Sequence, residues 1–162
     1  MKLANLLSVL ILTMCLSSFS QSKFQLSPSI GVLAVGEEGG TSYAFDVSYQ
    51  TSKKWNVTLS YMYGDIEFDD FETDVQSISL GGEHLFNPDS NTTLSSLFGF
   101  SYVMFNEDLN LEDDNGLGFQ FGLRTTFNSQ KRLNYGVNLM TTFVSNSPGG
   151  ILQSNVFVRY RL

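Results

Sequence analysis

Strict alternation of apolar and polar side chains is the feature that most limits what this chain can fold into. From residue 43 every second side chain is apolar, as in Tyr43, Phe45, Val47, Tyr49, set against Ala44, Asp46, Ser48, Gln50. A second run has the same form, with Trp55, Val57, Leu59, Tyr61, Tyr63 set against Asn56, Thr58, Ser60, Met62, Gly64. This period of two is that of a β-strand, since an α-helix repeats every 3.6 residues. The chain is therefore predicted to be built from β-strands.

Eight segments carry this pattern, and their number indicates a barrel. The first spans about 24–35 and the last 151–162, with others at about 43–50, 55–64, 75–86, 94–105, 117–127 and 133–143. Pro28 interrupts the first segment, and Gly81 with Gly82 marks either a bulge or a close approach of strands in the fourth. A chain of 162 residues is long enough for one domain. We predict an all-β fold, an eight-stranded antiparallel up-and-down β-barrel.

The N-terminus is typical of an export signal. Lys2 precedes an apolar run at 6–16, and Ser18 and Ser20 are the small residues that a signal peptidase recognises. We predict a cleaved signal peptide at 1–20 and a barrel domain at 21–162. The run is too short for a membrane-spanning helix, which needs about 20 residues. Cys15 is the only cysteine, and Met14 before it disfavours a lipoprotein site.

Two barrels fit the alternation, and they differ in which face points inward. A soluble lipocalin-like barrel has an apolar interior and an outer face rich in Lys and Glu. Here the polar face is mostly Ser, Thr, Asn, Gln and Gly, which suits a crowded polar lumen, whereas the apolar face suits lipid. The aromatic residues are expected to form two girdles at the two membrane interfaces, Tyr43, Tyr61, Tyr63, Tyr102 on one side and Tyr49, Trp55, Phe127, Tyr160 on the other. The inverted, transmembrane barrel is therefore favoured.

The connections sort by length and by charge. Short connections at 51–54, 87–91 and 128–132 contain the basic residues Lys53, Lys54, Lys131, Arg132. Long connections at 65–74 and 106–115 contain most of the acidic residues, and Glu37 and Glu38 occupy a third connection on that side. Short turns face the periplasm in outer-membrane barrels.

A net charge of -7 without a basic cluster also excludes nucleic acid as a partner.

The pattern as a whole resembles the small outer-membrane β-barrel proteins, such as the membrane domain of outer membrane protein A and outer membrane protein X. The resemblance covers about 23–162 and includes the alternating ending Val156, Val158, Tyr160, Leu162. It implies an integral protein of the outer membrane of a Gram-negative bacterium, in contact with lipid and lipopolysaccharide. It also implies that the barrel-assembly machinery recognises the C-terminal strand.

Charged residues on the polar face form the first candidate site. They are Asp46, Glu83, Arg124, Arg159 and Arg161, and we expect Glu83, Arg124 and Arg159 at similar depth. Buried charges persist when they are paired, so a network that plugs the lumen is one interpretation. A gate for small ions in a narrow passive pore is the alternative.

Acidic loops form the second candidate site, as a place for divalent cations or a partner. The carboxylates are Asp69, Asp70, Glu72, Asp74, Glu112, Asp113 and Asp114. Oxygen ligands of this kind bind Ca²⁺ or Mg²⁺, which would bridge them to lipopolysaccharide phosphates, although the spacing is not that of a calcium loop. A solvated loop is the simpler interpretation. Apolar residues in the same loops, among them Phe68 and Leu109, also suit docking to an unknown surface partner.

No catalytic residue is predicted. The only histidine, His84, is expected at the end of the barrel away from the acidic loops, so no Ser-His-Asp set can form. The sequence therefore predicts a structural or surface-interaction protein that is not an enzyme and has no certain cofactor. A passive pore, a lipocalin-like carrier and a lipid-modifying barrel enzyme are the alternatives.

Overall fold

The structure is a computed structural model that describes residues 23–67, 72–105, 115–145 and 150–162. The predicted signal peptide at 1–20 lies outside the described residues. Most of the predicted acidic loops do so as well. Within the part of the chain that is described, no helix is long and apolar enough to span a membrane.

The described residues form eight antiparallel strands that close into one barrel in chain order. The strands are β1 (Phe24–Val35), β2 (Glu38–Ser52), β3 (Trp55–Glu67), β4 (Glu72–Leu85), β5 (Thr92–Phe105), β6 (Asn115–Phe127), β7 (Leu133–Val144) and β8 (Ile151–Arg161). The barrel closes by pairing β1 with β8, from Gln25 opposite Arg161 to Val35 opposite Ile151. The predicted eight-stranded antiparallel fold is confirmed.

The two ends of the barrel differ in their connections. We call the end that has the connections 53–54, 86–91 and 128–132 the turn end, and the opposite end the loop end. Two predicted connections at the loop end are wrong in length. Residues 65–74 are mostly strand, and β2 begins at Glu38. The cause is that Asp65 pairs with Asp74 and Glu67 with Glu72 in the ladder, which satisfies the backbone whatever the side-chain polarity.

Apolar side chains cover the outside of the barrel. Phe100 and Leu117 are 73% and 71% exposed, and the alternate residues on the same strands, such as Ser101 and Gly118, are buried. The outward direction predicted for the apolar face is therefore what the chain adopts. A lipocalin-like carrier requires the reverse arrangement, so it is not supported.

The lumen contains an apolar layer at the loop end that the sequence analysis did not predict. Its buried members are Leu33, Val35, Met62, Ile66, Val75, Val103, Phe105 and Ile151. They occupy the same inward positions that carry Ser, Thr and Asn nearer the turn end. A polar lumen was expected throughout, and that expectation is wrong at this end. Apolar packing here excludes water without any need for hydrogen-bond partners.

Two features predicted to disturb the strands differ in their effect on the ladder. Pairing of β4 runs without a register shift through Gly81 and Gly82, so these glycines mark a close approach and no bulge. A Cβ at Gly81 would meet the carbonyl oxygen of Phe98. Pro28 pairs with Phe45 of β2 on one side. On the other side, in the described ladder, Ser27 and Pro28 have no partner in β8, and pairing resumes at Ser29.

Candidate functional site

Four charged side chains meet inside the barrel, and each comes from a different hairpin. Asp46 lies on β2, Glu83 on β4, Arg124 on β6 and Arg159 on β8. All four are buried. We call these four residues the lumen network. The period of two explains their common direction, since each occupies an inward position of its strand.

Asp46 and Arg124 form the shortest ion pair of the network. Arg124 Nη2 donates to Asp46 Oδ2 at 2.6 Å. β2 and β6 are not neighbours in the barrel, so this contact crosses the lumen. A charge-assisted hydrogen bond of this length is among the stronger contacts a buried carboxylate can make.

Glu83 accepts hydrogen bonds from several directions. Arg159 Nη2 lies 3.3 Å from Glu83 Oε2, and Arg124 Nη1 lies 3.7 Å from Glu83 Oε1. Asn56 Nδ2 donates to Oε2 at 2.8 Å, and Ser95 Oγ donates to Oε1 at 2.9 Å. The carboxylate is only 1% exposed. Its charge is tolerated because both oxygens are surrounded by donors.

Phe157 is a member of the site that the sequence analysis missed. Its ring is buried, with the guanidinium carbons of Arg124 and Arg159 at 4.9 and 5.3 Å from its centroid. A ring face attracts a cation, so Phe157 supports two guanidiniums that would otherwise repel each other. One signal was present in the sequence, because Phe157 occupies an inward position of β8 between Asn155 and Arg159.

Arg161 stands apart from the lumen network. It lies on the same face as Arg159 but at the turn end, is partly buried, and forms no ion pair with any described residue. The structure thus brings together Asp46, Glu83, Arg124 and Arg159 of the predicted charged set and leaves Arg161 at its edge.

The network leaves little free space. A cavity of about 20 Å³ lies beside Arg124 and is lined by Asp46, Thr58 and Gln120 among others. One water molecule needs roughly 10–15 Å³ by this measure, so the cavity suits a single water and no hydrated ion. The apolar layer fills the lumen on the loop side of the network. These two layers of side chains support a plug more than an ion gate.

Aromatic side chains occupy the outer face near both ends. Toward the loop end, Tyr43 pairs directly with Tyr63 across β2 and β3, and Tyr61 and Tyr102 lie on the same outer face. Toward the turn end lie Tyr49, Trp55, Phe127 and Tyr160, all exposed. These are the residues predicted to form two girdles, and the structure places each set as a band on the outside of the barrel.

Further aromatic residues extend the band at the turn end. The His84 ring lies between Trp55 and Phe86, with centroid distances of 4.6 and 5.1 Å. The ring centroids of Tyr135 and Phe127 are 5.7 Å apart. The outward position of His84 keeps it apart from the lumen network and from the carboxylates of the loop end.

Carboxylates face each other on the outer face at the loop end. Asp65 of β3 lies directly opposite Asp74 of β4. Tyr63 donates from its hydroxyl to Asp74 Oδ1 at 3.0 Å, and Thr41 Oγ1 lies 3.4 Å from Asp65 Oδ2. Among the side chains that the structure describes, no group of three or more metal-ligating residues is arranged to hold a metal ion.

Most of the predicted cation-binding loops lie beyond these residues. Asp74 is described in full, whereas only the backbone of Glu72 is described. The other predicted ligands lie outside the described residues; they are Asp69, Asp70, Glu112, Asp113 and Asp114.

Basic side chains surround the turn end. Lys53, Lys54, Lys131 and Arg132 are exposed there, and Lys53 Nζ pairs with Asp89 Oδ2 at 2.9 Å. Lys23 lies just before β1, with its Nζ 6.0 Å from the centre of the Tyr49 ring. The described part of the loop end has the opposite charge, since Glu37, Glu38, Asp65, Glu67 and Asp74 lie there.

No protein-family model and no curated protein sequence matches this chain. Solved structures do match. Neisserial surface protein A has a TM-score of 0.66 at 10% identity, over 86% of this chain and 96% of that protein. The N-terminal β-barrel domain of Pseudomonas aeruginosa OprF has a TM-score of 0.63 at 12% identity, over 87% and 98%. The outer membrane enzyme PagL has a TM-score of 0.57 at 15% identity, over 85% and 99%.

These similarities establish the fold. The chain has the barrel fold of small outer-membrane proteins, and the resemblance inferred from the sequence is confirmed at that level. The prediction that the chain is not an enzyme stays a prediction, because PagL shows that an enzyme can share this fold.

Proposed function

We propose that this chain is an integral protein of the outer membrane of a Gram-negative bacterium, with a structural or surface-interaction role at its loop end. The observation that carries the proposal is the outer face, where thirty large apolar side chains of the described residues are exposed, including most of the two aromatic bands. A continuous exposed apolar belt of this size is unfavourable in water, whereas it is stable in the hydrocarbon region of a bilayer.

The orientation follows from the connections and the charges. Outer-membrane barrels place short turns in the periplasm and longer loops outside the cell. The basic turn end is then periplasmic and the acidic loop end extracellular. The proposal includes export by residues 1–20, and insertion by the barrel-assembly machinery through the C-terminal strand, β8.

Fractionation and heat-modifiability test the membrane assignment. The protein should be recovered with the outer membrane, give a β-rich circular dichroism spectrum in detergent, and migrate differently on a gel before and after boiling. Recovery as a soluble periplasmic protein would overturn the proposal.

We infer that Ca²⁺ or Mg²⁺ links the loop end to lipopolysaccharide phosphates. The support is the direct apposition of Asp65 and Asp74, since like charges opposite each other in a ladder repel and a divalent cation relieves this repulsion. The acidic residues of the adjoining loops, including Asp69, Asp70 and Glu112, add to the negative charge.

Calorimetry with Ca²⁺ on the refolded barrel tests this link. We expect millimolar or tighter binding that weakens severalfold in the double variant Asp65→Asn, Asp74→Asn. Asp89→Asn at the turn end is the matched control and should bind as the wild type does. Absence of millimolar binding, or an equal loss in the control, would count against a cation at the loop end.

No catalytic role is included in the proposal. His84 packs against Trp55 on the outer face at the turn end, whereas Asp65 and Asp74 lie at the loop end. An acid, a base and a nucleophile within hydrogen-bond reach of one another are what catalysis of acyl transfer requires. Release or transfer of acyl chains by the purified barrel in lipid would contradict this assignment.

A further inference from the structure

A groove interrupts the outer wall where the barrel closes. It lies between β1 and β8, has a volume of about 320 Å³, and is lined by Pro28, Ser29, Ile30, Val156, Phe157 and Val158. Ile30 and Val156, on its sides, are exposed and apolar. We call it the seam groove. Its volume reaches the lower end of the range for small-molecule sites, roughly 300–1,000 Å³.

Pro28 is the cause of the seam groove. Proline has no N–H to donate and is normally excluded from the interior of a sheet. In the described ladder, β1 pairs with β8 at Gln25 and Leu26 and again from Ser29 onward, and the positions between them are unpaired. The wall is therefore recessed where the described strands β1 and β8 are not joined by their backbones.

The seam groove does not open into the lumen. Behind it, Arg159 Nε donates to Ser27 Oγ at 3.1 Å, which joins the same two strands through their side chains. Phe157 is 1% exposed and forms part of the floor. The seam groove is thus a shallow recess in the outer wall that faces outward only.

The position of the groove along the barrel fits the upper part of a lipid chain. Pro28 lies five residues from Lys23 at the turn end, about 16 Å along the strand at 3.3 Å per residue. A strand tilt of 35–45° shortens this to about 11–13 Å along the membrane normal. Arg132, next to β7, lies at the same end and close to β8, since Arg161 N donates to its carbonyl oxygen at 2.8 Å.

We propose that the seam groove binds one acyl chain of an anionic phospholipid from the periplasmic leaflet, with the headgroup phosphate at the turn end, where Lys23 and Arg132 lie. This rests on the proposed membrane location and orientation. A shallow recess gives an acyl chain more dispersion contacts than the convex wall around it, which favours a resident lipid here. The cationic residues complement a phosphate at the interface.

Native mass spectrometry of the barrel released from bilayers containing phosphatidylglycerol tests the site. We expect one phosphatidylglycerol to remain on the wild type. Ile30→Trp fills the groove and should lower the retained fraction at least tenfold. Ile78→Trp is the matched control, because Ile78 is 50% exposed on the outer face of β4, where Ile30 is 56% exposed on β1. Equal retention by both variants would overturn the proposal.

A second pair of variants tests the same site in case Ile30→Trp does not fold. Val156→Trp fills the groove from β8, and Val57→Trp places the same residue on the outer face of β3. Each variant is first checked for heat-modifiability. Loss of lipid in Val156→Trp with retention in Val57→Trp supports the site, and loss in both overturns it.

The headgroup is tested separately from the membrane assignment. The double variant Lys23→Gln, Arg132→Gln should retain phosphatidylglycerol severalfold less than the wild type, and the wild type should prefer phosphatidylglycerol to phosphatidylcholine. No preference would overturn the anionic assignment. A barrel that fractionates with the outer membrane but retains no lipid refutes the seam site alone, whereas a soluble protein refutes the proposed function.

Discussion

Glu83 holds the lumen network together at the scale of single residues. Of the two carboxylates in the lumen network, Glu83 is the one that contacts both guanidiniums, Arg124 at 3.7 Å and Arg159 at 3.3 Å. A buried ion pair adds little net stability compared with an apolar core, but loss of one partner leaves an uncompensated charge. The network should therefore respond strongly to single substitutions.

Glu83→Gln removes the charge and keeps the shape of the side chain. We expect the free energy of unfolding to fall by about 3–5 kcal/mol, because Arg159 loses its only carboxylate partner in the described lumen. Urea unfolding of the refolded barrel in lipid measures this change. Glu67→Gln at the loop end is exposed and should stay within about 0.5 kcal/mol of the wild type. Similar stabilities for the two variants would mean that Glu83 is not essential to the network.

Gly136 is a second residue with a specific steric role. A Cβ at this position would clash with the backbone carbonyl oxygen of Thr125 and would also lie 2.7 Å from Cζ of Phe157, the ring that supports both guanidiniums. Gly136→Ala should destabilise the barrel by about 1–3 kcal/mol through overpacking. At Gly39 the nearest atom to an added Cβ is Leu33 O at 3.8 Å, so Gly39→Ala is the tolerated control. The same urea unfolding assay compares them, and a tolerated Gly136→Ala would show that both the β6 backbone at Thr125 and the Phe157 ring can move aside.

The strands themselves show how far the sequence predicts this fold. Alternation predicted the eight strands, because they depend only on the period of two, and the small uncharged residues of the polar face predicted that the apolar face points outward. It failed at strand ends such as Asp65 and Asp74, which were assigned to a loop because they are acidic. Backbone pairing does not depend on side-chain charge, so polarity is a poor guide to where a ladder stops.

Position along a strand determines how much a charge on the outer face costs. Phe121 lies at the middle of β6 and Phe127 at its turn end, and both are on the outer face. Phe121→Lys should destabilise the barrel in a bilayer by about 2–4 kcal/mol, against about 0–1 kcal/mol for Phe127→Lys. Unfolding in lipid vesicles measures both. Equal effects would contradict a membrane midplane near Phe121.

The site was less predictable than the strands. Asp46, Glu83, Arg124 and Arg159 could be selected because charges on an inward face are rare and must meet partners. Their partners could not be selected, since Asn56, Ser95 and Ser27 look like any other small polar residues of the lumen. The apolar layer was missed for a related reason. Alternation sorts residues into two faces but carries no information on depth along the barrel.

Two filled layers occupy the lumen at the scale of the whole molecule. The apolar layer lies toward the loop end, and the lumen network lies toward the turn end. An eight-stranded barrel is just wide enough for its own side chains. The molecule is therefore expected to be closed to ions along its axis.

Planar-bilayer recording tests this closure. The purified barrel should show no steady single-channel openings, and Glu83→Gln should also stay closed because the apolar layer does not depend on the charges. A general porin in the same bilayer confirms that openings can be detected. Steady openings of the wild type that change in Glu83→Gln would show that the lumen network gates a pore.

The distribution of the network among the hairpins has a consequence for assembly. Both carboxylates, Asp46 and Glu83, lie in the first four strands, and both guanidiniums, Arg124 and Arg159, lie in the last four. A chain divided in the connection between β5 and β6 would give two fragments. The five-stranded fragment would contain both anions of the lumen network, and the three-stranded fragment both cations. Neither fragment can neutralise itself, and each carries the counter-ions of the other.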